Sequence, residues 1–372
     1  MIKSLKKALC FVMSAALLAG AMAACTGGRD IDTADEMDWL DDDYDDFDDY
    51  DDFDDYDDFY DPDDTRYTSD TDAMVYPISI ITTIFPLYDW LRALIGEDNK
   101  DKYELTMLLG TGVDLHSYSP TVSDMAKIKD CDVFIYVGGH SDDWVDSVLR
   151  DANADMITLN LMEILGDMVL YDDGWEEYDG HGHDHDEEGD EEEWEVDEHI
   201  WLSLRNADEL CFEMMMLLAE IDPDSEESYV DNMNDYMDRL MELDEKYQDM
   251  VDEADVHEVL FADRFPFRYL MEDYALEYYA ALSGCSTEKE ASFETIVMLA
   301  SALDELELKS VVVTENSDQS IARTVIDASA DKNQDIIVMD SMQSVTFADV
   351  DAGATYLAIM EKNLAALREA LR

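Results

Sequence analysis

Ile78-Ser79-Ile80-Ile81-Thr82-Thr83-Ile84 is a run in which every residue but Ser79 is β-branched, and it lies between Pro77 and Pro86. β-Branched side chains favour the pleated conformation, and a run without apolar/polar alternation suits a strand covered on both faces, as in a parallel sheet. Runs of the same kind recur at Tyr103–Leu109, Val133–Val137 and Ile157–Leu159, with helix-like segments between them. After an interruption the alternation resumes at Val259–Phe261, Tyr278–Leu282, Val311–Val313 and Ile336–Met339. The expected fold is therefore α/β, with two lobes that are each a mostly parallel sheet flanked by helices.

The segment between the two series reads as one long helix over residues 224–253. Pro223 and Asp224 supply a helix start, and Tyr229, Met233, Tyr236, Leu240, Leu243, Tyr247 and Met250 recur at steps of four and three, which makes a single apolar stripe. At about 1.5 Å per residue such a helix is long enough to run along both lobes. Residues 76–223 then form the N-terminal lobe and 254–372 the C-terminal lobe, closed by a last amphipathic helix over Tyr356–Leu371.

What precedes residue 76 reads differently. Residues 1–24 carry Lys3, Lys6 and Lys7 and then an apolar run, the layout of a secretory signal too short for a convincing membrane span. Met22-Ala23-Ala24-Cys25 resembles a bacterial lipobox, so Cys25 is expected to become an acylated first residue. That would hold the protein on the outer face of the bacterial cell membrane by lipid rather than by a spanning helix. Residues 25–75 read as an extended acidic tether: Asp30 to Asp64 contains no Lys or Arg, and an Asp-Asp-aromatic unit repeats with a period of three that matches neither helix nor strand.

The formal net charge of -71 excludes nucleic acid and anionic membrane surfaces as partners and makes cations the natural counterpart. Of five cysteines, Cys10 lies in the signal and Cys25 at the anchor; the odd remainder, Cys131, Cys211 and Cys285, shows no disulfide spacing and reads as small buried thiols.

The seven histidines carry most of the chemical information. His116 sits in Gly110-Thr111-Gly112-Val113-Asp114-Leu115-His116-Ser117-Tyr118-Ser119-Pro120, at the carboxyl end of an expected strand, where α/β sheets form their ligand sites. His199 lies in Asp197-Glu198-His199-Ile200-Trp201-Leu202, between an acidic stretch and an apolar one. Position alone does not separate a ligand from a structural histidine at either place. His140, after Val137-Gly138-Gly139, is a further candidate at a strand end. The acidic insert 171–195 holds His181-Gly182-His183-Asp184-His185-Asp186; imidazole and carboxylate are ligands for borderline-soft ions, and His181, His183 and His185 on such a loop could gather one loosely.

Taken together in order, several segments make the chain similar to the cluster A-I solute-binding proteins, the receptors of zinc and manganese ABC importers. They are Ile81-Thr82-Thr83-Ile84-Phe85-Pro86-Leu87-Tyr88-Asp89, the His116 loop with the following Pro120-Thr121-Val122-Ser123-Asp124, Asp197-Glu198-His199-Ile200-Trp201-Leu202, and Met339-Asp340-Ser341-Met342. The resemblance runs from Tyr76 to Arg372 and implies one metal held in the cleft between two lobes. It implies that His116 and His199 bind the ion from the first lobe and that Asp340 closes the site from the second. The family's remaining ligand falls on the loop after the first strand of the second lobe, where the chain reads Phe261-Ala262-Asp263-Arg264-Phe265. Ungapped alignment puts Arg264 there, a side chain that cannot bind a cation, and a shift of one residue offers Asp263.

The expected function is that of a monomeric lipoprotein receptor, not an enzyme, that delivers zinc (Zn2+) to an ABC permease with its ATPase. Manganese is the alternative ion, since a mixed nitrogen and oxygen set does not decide between them, and the His-rich insert favours zinc. Separation of the lobes would remove ligands together and release the ion. A secreted zinc hydrolase is the rival reading, but the chain lacks His-Glu-x-x-His spacing and a Gly-x-Ser-x-Gly elbow.

Overall fold

The computed structural model describes residues 76–172, 195–286 and 290–372. The signal segment, Cys25, the acidic stretch and His181, His183 and His185 lie outside the described residues. Among the described residues no helix is long and apolar enough to cross a membrane.

The first sheet contains β1 (Ile78–Thr82), β2 (Tyr103–Met107), β3 (Val133–Tyr136) and β4 (Ile157–Asn160), in the order β2-β1-β3-β4 with every pair parallel. The opening run leaves the strand at Thr82, because Pro86 in the first turn commits the chain to the helix Phe85–Asn99. A short antiparallel pair, β5 (Tyr171–Asp172) and β6 (Glu195–Val196), stands at the two ends of the acidic insert. The second sheet contains β7 (Glu258–Phe265), β8 (Glu277–Ser283), β9 (Ser310–Thr314) and β10 (Asp335–Met339), in the order β10-β9-β7-β8, again all parallel.

Between the sheets runs the helix Glu226–Asp252, preceded by a single 3-10 turn at Pro223–Ser225. Tyr229, Met233, Tyr236, Leu240, Leu243, Tyr247 and Met250 are all buried on its one apolar face. This face packs on the helices Phe85–Asn99, Leu204–Ile221 and Tyr356–Ala370. Tyr247, with no exposed surface, donates its hydroxyl to the Met360 carbonyl at 2.7 Å, so its one polar atom is satisfied inside the core. At the start of the helix, buried Asp222 accepts from Tyr76, Lys102 and Tyr229 at 2.6, 2.8 and 2.7 Å. Burial acts to raise its pKa, but these donors outweigh it and hold the carboxyl down at about 2.

The main core is continuous through both sheets. Ile78 and Ile80 of β1, Phe261 of β7, Met339 of β10, and Trp90, Trp201 and Tyr356 belong to one apolar cluster. The outer faces have their own smaller cores. Ile81, Phe134, Ile128, Val145 and Val148 fill one beneath the helices Val122–Asp130 and Val145–Leu149. Leu260, Val311, Leu299 and Val325 fill the other beneath Phe293–Glu305 and Ser320–Ala328.

Candidate metal centre

The loop after β2 carries His116 in a single 3-10 turn, Leu115–Ser117, whose cap is Asp114: one carboxylate oxygen takes the His116 backbone N–H at 3.0 Å. The other oxygen takes Nη2 of Arg264, from β7 in the second lobe, at 2.7 Å. Burial would push the Asp114 carboxyl up, but the Arg264 charge and hydrogen bond hold it below its usual range. His199 enters just after β6, and Asp197 fixes it twice, accepting its backbone N–H at 2.9 Å and its Nδ1 at 2.8 Å. The His199 side chain has no exposed surface.

These two loops bring His116 Nε2 and His199 Nε2 to 3.1 Å from each other. The other nitrogens are occupied. A carboxylate oxygen can only accept, so His199 Nδ1 carries the proton it gives to Asp197. His116 Nδ1 faces Ser141 Oγ at 2.8 Å and Glu198 Oε2 at 3.4 Å. In the tautomer with both imidazoles neutral and their protons on Nδ1, two Nε2 lone pairs face each other at close range, an arrangement that a cation between them would relieve. Tetrahedral zinc with bonds of about 2.0–2.1 Å would hold two nitrogens about 3.3 Å apart, close to the spacing found. The residues present therefore fit such an ion, and each imidazole already has the carboxylate behind it that orients metal-bound histidines.

Glu198 is the less obvious member. It is 1% exposed, accepts the Ser141 backbone N–H through Oε1 at 2.6 Å and faces His116 with Oε2. Burial alone would raise its pKa, yet the hydrogen bonds from His116 and Ser141 hold it below the normal value. Glu198→Gln keeps the shape and removes the charge. It is expected to weaken zinc binding roughly 10- to 100-fold with an unchanged far-ultraviolet circular dichroism spectrum. Competitive titration against a chelator checks this, and an unchanged affinity would make Glu198 merely a loop tie.

The other described candidates have partners of their own. His140 is on the surface, its side chain 78% exposed and paired with Asp143 at 2.9 Å. Asp263 accepts the Thr314 N–H and hydroxyl at 3.3 and 3.1 Å and its neighbour's backbone N–H at 2.9 Å, so its oxygens are engaged within the second lobe. Asp340 follows β10 and accepts the Met342 N–H at 2.8 Å, with its pKa pushed up to about 6 by burial and by the charge of Glu315. Among the described residues, the group whose ligand atoms all lie within 4.8 Å of one another is His116, His199 and Cys285. The expectation that Cys285 is a core thiol like Cys131 and Cys211 is thus corrected. Those two are buried and Cys285 is half-buried beside the imidazoles. Sequence spacing held no signal for it, because it reaches the site only through the pairing of β7 with β8.

The chain is similar to known proteins over most of the described residues. The family model described as "Zinc-uptake complex component A periplasmic" matches residues 80–370. The zinc-binding lipoprotein AdcA of Streptococcus pneumoniae strain R6 is 31% identical over 292 residues, which is 78% of this chain and 55% of the relative. The chain thus spans about half the length of that protein. The high-affinity zinc uptake system protein ZnuA of Bacillus subtilis is 26% identical over 295 residues, covering 79% of this chain and 88% of the relative. Among solved structures, the Zn(II)-bound ZnuA-like domain of Streptococcus pneumoniae AdcA superposes with a TM-score of 0.61 at 27% identity, covering 79% of this chain and 98% of that domain. The metal-dependent lipoprotein YcdH of Bacillus subtilis shares the fold, with a TM-score of 0.63 at 23% identity over 79% of this chain and the whole of that one. With a family match over residues 80–370, well over half of the chain, the chain belongs to the ZnuA family, described as the periplasmic component A of zinc-uptake complexes.

Proposed function

We propose that this protein is an extracytoplasmic solute-binding lipoprotein that captures zinc in the cleft and delivers it, as a monomer, to an ABC permease driven by its ATPase. The observation that carries the reading is the pair of Nε2 atoms 3.1 Å apart, each imidazole backed by a carboxylate. His116 and His199 hold the ion from the first lobe, and Asp340, at the end of β10, is the carboxylate that the family resemblance offers from the second. Acylation at Cys25 would keep the receptor on the outer face of the cell membrane, and His181, His183 and His185 would gather ions loosely without forming the selective site. The names of the relatives, a zinc-binding lipoprotein and a zinc uptake protein, support zinc over manganese.

The test is metal analysis of the full chain purified from medium containing zinc and manganese, followed by chelator competition. One tightly held zinc per chain is expected, with manganese displaced by it. A chain that binds no zinc above the weak background of its acidic residues would overturn the proposal. Metal-dependent turnover of generic ester or peptide substrates would turn the reading toward a hydrolase.

A further inference from the structure

We propose that Cys285 is a zinc ligand, so that a thiolate from the second lobe joins the two imidazoles from the first, beside the carboxylate of Asp340. This rests on the zinc-receptor reading above and names a further donor by which the second lobe reaches the ion.

Three observations lead to it. First, Cys285 Sγ and a ring nitrogen of each of His116 and His199 lie within 4.8 Å of one another. A tetrahedral zinc with about 2.3 Å to sulfur and about 2.0–2.1 Å to nitrogen separates the two donor types by about 3.6 Å, so a closure of little more than an ångström makes the set.

Second, the backbone is shaped for the approach. β8 is the parallel neighbour of β7, with Ser283 in register with Phe265, so the loop leaving β8 emerges beside the carboxyl end of β7. Its next residue is Gly284, where an added Cβ would stand 2.6 Å from the Phe265 carbonyl oxygen and 2.9 Å from His199 Cε1. Any larger residue would lift the loop off the imidazole, and the thiol of the following residue would go with it.

Third, β7 itself supplies no donor in this cluster. Arg264, which alignment puts in the family's ligand place, has no lone pair and is paired with Asp114, and Asp263 is turned to Thr314. The bulge in β7 between Phe261 and Arg264 accompanies this arrangement. A thiol from the adjacent strand end takes the place of the missing donor.

The chemistry follows from the ligand set. On binding, Cys285 loses its proton to water and coordinates as the thiolate, while both imidazoles coordinate neutral through Nε2. A thiolate is a soft ligand that suits zinc and disfavours manganese, which prefers oxygen donors. The second lobe would therefore determine which ion is retained.

The test is cobalt substitution of the full chain. Co(II) held by a thiolate gives an intense sulfur-to-metal charge-transfer band in the near ultraviolet, and imidazole and carboxylate ligands do not. The expected result is that band at one Co(II) per chain, abolished by one equivalent of zinc and absent in Cys285→Ala. The variant should also bind zinc roughly 100-fold more weakly and discriminate less against manganese. The spectrum of the unmodified chain decides the matter even if the variant folds poorly. Tight binding of zinc and Co(II) without the charge-transfer band overturns the thiolate ligand and leaves the receptor reading standing. Failure to bind either ion tightly overturns both.

Discussion

Zinc affinity is expected to fall by roughly two to three orders of magnitude when either His116 or His199 is replaced by alanine. Zinc bound by a small set of protein donors is held by about 10–16 kcal/mol in all, so one donor of three or four accounts for several kcal/mol, and each 1.4 kcal/mol is tenfold. The two variants should differ in stability. The His116 side chain is 5% exposed and sits on a single-turn loop, so its removal leaves a gap that water can enter. His199 has no exposed side-chain surface and donates its Nδ1–H to Asp197, so His199→Ala leaves a cavity and takes from Asp197 one of the two hydrogen bonds it accepts from that residue. A lower melting temperature is therefore expected for the second variant than for the first, both measured without metal. The measurement is chelator competition on the full chain. Weak sites in the acidic stretches will remain in both variants and must be distinguished by their affinity. Full-affinity, one-to-one binding retained in either variant would remove that histidine from the site.

Trp201→Ala should be among the most damaging single substitutions in the chain. Trp201 is wholly buried, its ring centroid lies 5.3 Å from that of His199, and its Nε1–H donates to the Ser341 carbonyl at 2.9 Å. Its own carbonyl accepts the Tyr356 hydroxyl at 2.8 Å. One residue thus supports the back of an imidazole and ties the first lobe to the residue next to Asp340. Truncation should cost about 3–5 kcal/mol and lower the melting temperature by roughly 10 °C. Trp201→Phe, which keeps most of the volume and loses the N–H, should cost about 1–2 kcal/mol. Thermal and urea unfolding of the two variants, with and without zinc, test this. Equal losses in both would place the value of Trp201 in its hydrogen bond rather than its bulk, against the packing argument.

Most of the sheet architecture was legible because it depends on local pattern. Buried parallel strands need unbroken apolar runs, and the stripe on Glu226–Asp252 has the helical period along its whole length. β7 was legible only in part, as Val259–Phe261, because Asp263 and Arg264 end the apolar run; the strand continues to Phe265 since Thr314 and Asp114 partner those charges. His116 and His199 were visible as histidines at strand or segment ends, but their convergence depends on contacts across 83 positions of sequence. Cys285 was not distinguishable from Cys131 and Cys211, because nothing in its neighbours encodes the registry of β8 against β7 or the contact of Gly284 with His199. Glu198 carries no signal of its own in Asp197-Glu198-His199, as its value lies in facing His116 and Ser141 across the fold.

The unbroken core through both sheets limits how the proposed receptor could release a bound ion. Swinging the halves apart as rigid bodies would wet the layer containing Trp90, Trp201 and Tyr356. At about 25 cal/mol per Å2, each few hundred Å2 exposed would cost on the order of 5–10 kcal/mol, comparable with the whole stability of a folded domain. Release of an ion from the proposed site would therefore act on the short loops that follow β2, β6 and β8, by drawing one donor away, while the body of the molecule stays stiff and serves as the anvil.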